Sequence, residues 1–351
     1  MVITFIVCGC MSFPAGGYKV ILEYANRFVA DGFSVNIVMG AATISWKTTL
    51  GAFLKYPYHK YIRKDYNPGL WFALNNSVNV QYKFTLFERN IPASDVVIAT
   101  NVESSYYLEK YKKNIKKYYF IQGFENWSVS DKKVYDSYSF DMRKIVISQW
   151  LQVLLKHHNA NSTYIPNGFD FSYFSLKNNI KERDKYSILL MWHESEGKRC
   201  IDSIRALKIV KRKYPMLNIK MFGKPACPRN LPINFQYYRL PDKELHNKLY
   251  NEAAIYIAAS SIEGWGLTIG EAMICGCAVA CTNNPGFSIL AHHEKTALLS
   301  EIYDYQGLAD NIIDLIENDA KRIRIAYQAN EFVKSFTWDK SYRMFLNTIS
   351  E

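Results

Sequence analysis

Residues 260–280 read SSIEGWGLTIGEAMICGCAVA. Two carboxylates, Glu263 and Glu271, have seven residues between them, with Gly264 and Gly266 in that interval and a helical pattern opening at about Gly266. The first amides of a helix lack carbonyl partners within it and carry partial positive charge, so a phosphate sits well there, and glycines let it approach the chain closely. The amides of Gly266, Leu267 and Thr268 are the candidates. Carboxylates are poor phosphate partners, and their natural partners are hydroxyls. Glu271 suits a ribose diol on one side of such a phosphate, and Glu263 suits the hydroxyls of a sugar on the other. Taken alone, the two glutamates read equally as ordinary helix capping and surface charge.

Outward from this stretch the chain alternates strand and helix. Strands at 186–191, 217–222 and 254–258 and helices near 200–213 and at 243–251 precede it, and a strand at 278–281 closes it. The N-terminal half has the same texture. Residues 2–8 are a continuous apolar run rich in Val and Ile, as strands buried on both faces of a parallel sheet are. The loop GCMSFPAGG at 9–17 then leads into a helix whose apolar pairs Val20/Ile21, Tyr24/Ala25 and Phe28/Val29 recur every four residues until Gly32. Strands follow at 35–39, 95–99, 118–122 and 144–147. The class is α/β with two parallel sheets, and the Pro-Asn-Gly turn at 166–168 marks the division between two Rossmann-like halves. Helices near 305–317 and 319–334 end the second half, and the aromatics of SFTWDKSYRMFL (335–346) need a surface to pack on.

The 351 residues, 49% hydrophobic, bury enough for about two domains and exclude a disordered or fibrous chain. Forty-three Lys and Arg against 32 Asp and Glu give a net charge of +11, which points to an anionic partner. Residues 1–165 hold +8 of that excess and the remainder +3. Lys110, Lys112, Lys113, Lys116 and Lys117, interleaved with Tyr107, Tyr111, Tyr118 and Tyr119, read either as a surface for acidic headgroups or as a solvated helix face. Seven cysteines, an odd number without framework spacing, suit a reduced cytosolic protein, and neither Cys8/Cys10 nor Cys275/Cys277 has zinc-type spacing with histidines, so no metal is expected. The start, VITFIVCGCM, lacks the basic region of a signal peptide, and no apolar run approaches the roughly 20 residues that span a bilayer. Any membrane contact is expected to be peripheral.

The 260–280 stretch resembles the Glu, seven residues, Glu signature of the large GT4 family of retaining glycosyltransferases. Further matches stand in the family's order along nearly the whole chain: Gly16 and Gly17, IPNGFD at 165–170, the basic loop WHESEGKRC at 192–200 and EGWGLTIGEAM at 263–273. The resemblance implies the GT-B fold, two Rossmann-like domains facing across a cleft with the last helix crossing back to the first. The domains would be 1–168 with about 335–351, for the acceptor, and 169–334, for a nucleotide-sugar donor. It implies that Lys198, with Arg199, contacts the donor diphosphate. His193 stands near the position where many members carry Arg, Gly223 and Arg239 lie near the base, and Gly16 and Gly17 meet the phosphates from the first domain. Many members carry a His near residues 118–127, YYFIQGFENW, where this chain has none. The Gln-Gly-aromatic-Glu element is similar to the subgroup containing rhamnosyltransferases of bacterial surface polysaccharides. Glu125 is expected either to project toward substrate hydroxyls or to cap a helix.

The implied reaction is transfer from a dTDP-rhamnose, UDP-hexose or GDP-mannose type donor to a glycan or lipid-linked glycan such as O-antigen or capsule, at the inner face of the cytoplasmic membrane. Glu263, Lys198 and Glu125 would be the catalytic group. Without an Asp-x-Asp triplet, no metal or cofactor is expected. A nucleotide-sugar epimerase of the same fold and a non-catalytic nucleotide-sugar-binding subunit are the alternatives. No recognisable nucleic-acid module accompanies the charge, so nucleic acid is not expected as a partner.

Overall fold

The computed structural model describes residues 1–44, 46–228, 231 and 235–351, with the backbone alone for 46–49. They form two units, Met1–Asn167 with Trp338–Glu351, and Gly168–Thr337.

In the first unit the elements are β1 (Val2–Cys8), α1 (Gly16–Ala30), β2 (Ser34–Gly40), α2 (Trp46–Pro57), β3 (Asn79–Lys83), β4 (Val96–Ala99), α3 (Val102–Leu108), β5 (Lys116–Ile121), α4 (Asp131–Tyr138), β6 (Arg143–Val146), α5 (Gln149–His157) and β7 (Ser162–Tyr164). The strands pair in parallel in the order β3-β2-β1-β4-β5-β6-β7. Ile3, Phe5, Ile6 and Val7 of β1 are all buried, as a central strand covered on both faces requires. Asn101 caps α3 and joins Ser104 in a reciprocal capping box.

The lysine-rich stretch is not a helix face. It is the turn between α3 and the start of β5, and Tyr107, Tyr111, Tyr118 and Tyr119 are buried, so they interleave with the lysines in sequence but not on the surface. Lys117 Nζ donates to the Tyr111 carbonyl at 2.7 Å, and Lys116 Nζ to that of Ser350 at 3.2 Å, so both ammonium groups serve the fold.

The second unit contains β8 (Ser187–Trp192), α6 (Cys200–Lys213), β9 (Asn218–Gly223), β10 (Phe235–Arg239), α7 (Lys243–Glu252), β11 (Ile255–Ala258), α8 (Leu267–Ile274), β12 (Ala278–Thr282), β13 (Ala297–Ser300), α9 (Tyr305–Glu317) and α10 (Asp319–Val333). Its parallel strands run in the order β10-β9-β8-β11-β12-β13. Ile188, Leu190, Ile219, Ile257 and Ala280 of the sheet pack with Leu207, Val210, Leu308 and Ile312 of the covering helices.

The final helix, α11 (Trp338–Ser350), belongs to the first unit. Phe345 is fully buried, its ring centroid 4.5 Å from Tyr24, 5.3 Å from Phe120 and 5.9 Å from Phe28. Tyr342 Oη donates to Asp31 at 2.6 Å. This is the packing surface that the C-terminal aromatics need. All seven cysteines are unpaired, and no described helix is long and apolar enough to cross a membrane.

Candidate active site

In the second unit the chain builds strands to one side of β8 and then returns to lay β11 on the other. A parallel sheet opens a crevice where its order reverses in this way, just beyond the strands' carboxyl ends. The loop leaving β8 carries Lys198, and the loop leaving β11 carries Glu263. Sixty-five residues apart in sequence, they meet there: Lys198 Nζ donates to both Glu263 oxygens, at 2.7 and 2.6 Å. Ser260 Oγ donates to the same carboxylate at 2.8 Å. The Glu263 side chain keeps only 10% of its exposure and that of Lys198 27%, so water screens this pair less than a surface one.

Backbone contacts fix the two loops against each other. The Gly197 carbonyl accepts from the Ser261 amide at 2.8 Å. Thr282 Oγ1 and Asn284 Nδ2 both donate to the Ser260 carbonyl, tying in the loop after β12. A Cβ on Gly286 would lie 2.2 Å from the Glu263 carbonyl oxygen, so a glycine is needed where that third loop passes. Ser260, Ser261, Thr282, Asn284 and Gly286 were not singled out from sequence. The Asn-Pro-Gly turn at 284–286 was the available signal.

Helix α8 starts directly behind Glu263. Gly266 precedes it with φ +90°, a conformation that disfavours side chains, and a Cβ there would also meet Phe287 at 2.8 Å. The amides of Leu267 and Thr268 fall in the first turn, whose donors are not used within the helix. Glu271 lies one turn further and accepts from Tyr250 Oη at 3.2 Å. Gly270 has no room for a side chain because the Phe169 ring lies where its Cβ would be. The Phe169 ring also packs tilted against Trp265, with centroids 4.9 Å apart, so Phe169 forms a floor beneath α8.

His193 Nδ1 accepts from the Ser195 amide at 3.0 Å, which leaves the ring proton on Nε2. Burial and, next, Lys198 hold its pKa below the usual 6.5, so it is neutral at pH 7. A neutral Nε2–H donates a hydrogen bond but supplies no full charge. Arg199 takes a left-handed backbone (φ 47°) ahead of α6, with its guanidinium clamped on Asp202 at 2.7 and 2.6 Å and lying over Tyr303. Asp202 also accepts from Arg205 at 3.0 Å, so one carboxylate orients two guanidiniums. Gly223 and Arg239 are register partners at the ends of β9 and β10, beside Trp192. A Cβ on Gly223 would lie 2.3 Å from the Trp192 carbonyl oxygen, and Arg239 Nε donates to the Lys224 carbonyl at 3.2 Å.

Gly16 and Gly17 belong to the first unit, where they open α1. The Gln122 amide lies beside Gly17, and its Oε1 is buried without a hydrogen-bond partner among the described residues. Glu125 does not project. Its side chain is buried, and Oε2 accepts from the Val102 amide at 2.6 Å, at the first turn of α3. An orphan helix amide one strand away claims the carboxylate that the turn after β5 would otherwise present outward.

Burial raises the Glu125 pKa to about 8, against the amide bonds from Val102 and Gln122 and with the nearby Glu103 carboxyl adding to the rise. The folded chain therefore holds this proton more tightly than the unfolded one, whose carboxyl titrates near 4.5. Its stabilising effect is complete below that value and is lost as pH rises toward 8. Glu125→Gln keeps an oxygen for both amides and removes the titration. Denaturant melts of the full chain should show stability falling from about pH 5 to 8 in the wild type and a much flatter profile in the variant. Equal slopes would refute the assignment.

Residues 174–332 match the family model described as Glycosyl transferases group 1. A curated relative, the D-inositol 3-phosphate glycosyltransferase of Corynebacterium efficiens, is 28% identical over 151 residues, 38% of this chain and 35% of that protein. The chain thus spans about a third of the length of that relative. Among solved structures, Anabaena Alr3699/HepE in complex with UDP-glucose superposes with a TM-score of 0.75 at 16% identity, covering 100% of this chain and 99% of that one. Sucrose-phosphate synthase from Thermosynechococcus elongatus gives 0.74 at 14% identity, covering 99% and 98%. The chain has the fold of these structures, GT-B.

Proposed function

We propose that the protein is a retaining, metal-independent glycosyltransferase that takes a nucleotide-sugar donor on its second unit and transfers the sugar to a glycan. The observation that carries this reading is the Lys198–Glu263–Ser260 cluster at the start of α8, inside the segment that matches the glycosyltransferase family. The Alr3699/HepE complex with UDP-glucose supports a nucleotide sugar as the ligand of this fold.

In this reading the anomeric carbon–oxygen bond to the diphosphate breaks and a bond to the acceptor oxygen forms on the same face. The acceptor proton passes to a phosphate oxygen of the leaving diphosphate. Negative charge grows on that diphosphate, so catalysis depends on positive potential fixed there beforehand. Lys198 and the amides of Leu267 and Thr268 supply it, with His193 Nε2–H as an uncharged donor. Glu271 holds the ribose diol, and Glu263 orients the sugar hydroxyls and stabilises positive charge at the anomeric carbon. Gly223 and Arg239 flank the base. With the charge met by these groups and no Asp-x-Asp triplet in the chain, no divalent cation is called for. The acceptor is a lipid-linked surface glycan of the O-antigen or capsule kind, met at an acidic membrane surface, and rhamnose is the first sugar to try.

A melting panel with UDP, dTDP, GDP and ADP, followed by turnover of the best nucleotide's sugars, tests this. One nucleotide should stabilise the chain by about 2.7 kcal/mol at a hundredfold excess over its dissociation constant. Its sugar should be released slowly to water and rapidly to the acceptor. No stabilisation by any nucleotide would sink the reading, as would conversion of the donor to an epimer with no acceptor present.

A further inference from the structure

Helix α2 and the single π-helical turn that continues it, Tyr58–Arg63, present an inverted pattern. Leu50, Phe53, Leu54, Tyr58, Tyr61 and Ile62 recur at three- and four-residue spacing, which places them along one stripe, and all six are exposed, Phe53 at the edge of the stripe where its ring also packs 4.5 Å from that of Phe84. Leu54 is 81% exposed and Ile62 73%. The opposite side is the anchored one. Ala52 is buried, the Tyr56 ring packs 5.2 Å from that of Tyr82 on β3, and His59 Nδ1 pairs with Asp65 at 2.6 Å. A surface helix ordinarily turns its apolar stripe inward, so this one is built to be covered by something else.

Charge indicates what covers it. Between Asp31 and Asp65 the chain carries no carboxylate, while residues 50–64 hold Lys55, Lys60, Arg63 and Lys64, of which only Arg63 is answered by a carboxylate among the described residues, Asp65 at 3.2 Å. A second copy of the chain would set these cations against their equals. Nucleic acid would answer the charge and leave the stripe wet. A bilayer with anionic headgroups satisfies both features, with apolar side chains in the acyl boundary and lysines reaching the phosphates. At 12 residues α2 falls well short of the roughly 20 needed to span, so it lies in the membrane plane.

We propose that residues 50–64 form an in-plane docking surface for an anionic lipid bilayer. This gives the membrane contact of the proposed reading its site, and rests on that reading for why a membrane is met at all. It also moves the contact away from Lys112, Lys113, Lys116 and Lys117.

The test is sedimentation of the full chain, without nucleotide, with phosphatidylcholine vesicles containing or lacking phosphatidylglycerol. The wild type should bind the mixed vesicles and bind pure phosphatidylcholine more weakly. Leu54→Glu with Ile62→Glu should weaken binding about a hundredfold. Its melting curve should stay in place, since both side chains are exposed. Lys55→Gln with Lys64→Asn should lose about twentyfold on anionic vesicles only. Asn suits the left-handed backbone at residue 64 (φ 52°), so this variant keeps the test decisive if the glutamates disturb folding. Wild-type binding by the first variant would overturn the proposal. So would a wild type that self-associates through this face and ignores vesicles. If no nucleotide binds while vesicle binding is intact, the transferase reading fails and this surface stands.

Discussion

Glu263→Ala should lower sugar transfer by about a thousandfold while leaving nucleotide affinity within a few-fold of wild type. In the proposed reading the carboxylate is not itself a partner for a diphosphate, and its loss frees Lys198 for the phosphates. The transition state suffers most, since the hydroxyls and the charge at the anomeric carbon lose their partner. Lys198→Ala should behave differently. It strips an ammonium from the phosphates and also leaves Glu263, 10% exposed, without the donor that supplies two of its hydrogen bonds. A nearly buried carboxylate left with the Ser260 hydroxyl and no cation beside it repels an incoming diphosphate. Both nucleotide affinity and turnover should fall, the first by about ten- to a hundredfold. The double variant should lose less than the product of the two, because residues in direct contact couple. Equilibrium binding and single-turnover kinetics on all three variants check this. Strict multiplicativity, or a Glu263→Ala enzyme with near-native turnover, would show that the pair is structural only.

Phe345→Ala should be the most destabilising single truncation in the first unit. The ring is fully buried and touches three aromatic rings from α1 and β5, and a cavity of that size costs about 3–5 kcal/mol. In a unit of this size that corresponds to a melting temperature lower by roughly 10 °C. Leu346→Ala on the same helix, where the side chain is only half-buried, is the control and should shift it by a fraction of that. Equal shifts would mean that α11 is held by its backbone contacts, such as Lys116 with Ser350, rather than by its aromatic face.

What the sequence could disclose followed burial. β1, β8, β11 and β12 are covered on both faces and read as unbroken apolar runs. The edge strands β3 (NVQYK) and β10 (FQYYR) are half-exposed and polar at alternate positions and left no such run, while at the other edges β7 (STY) and β13 (ALLS), the latter largely buried, are too short to stand out. Glu271 was legible as a candidate through its spacing from Glu263, and Glu263 and Lys198 because loops at the ends of parallel strands have few structural reasons to carry them. Their union was not, because only the sheet order brings the loop after β8 against the loop after β11. Glu125 had two readings, facing substrate or capping a helix, and it accepts from the first turn of a helix; nothing local reveals that the helix is α3, whose Val102, 23 residues earlier, has an amide in need of an acceptor. The tyrosines near Lys112 misled for a related reason, since a strand that starts polar and ends buried looks amphipathic in composition without being so in space.

In the proposed reading, the ion pair at the head of α8 makes the site an anion exchanger. Glu263 occupies, in effect, the seat a phosphate would take opposite Lys198, so no bare cation waits there to collect whatever anion is abundant. An inorganic phosphate could displace the carboxylate, but its own hydroxyls sit on the phosphorus that faces Lys198 and do not reach past it to the displaced group. A ligand that carries sugar hydroxyls beyond its phosphate satisfies both halves of the exchange at once. Selectivity for glycosylated over simple phosphates would then arise from the resting state of the site, before any part of the sugar is recognised by shape.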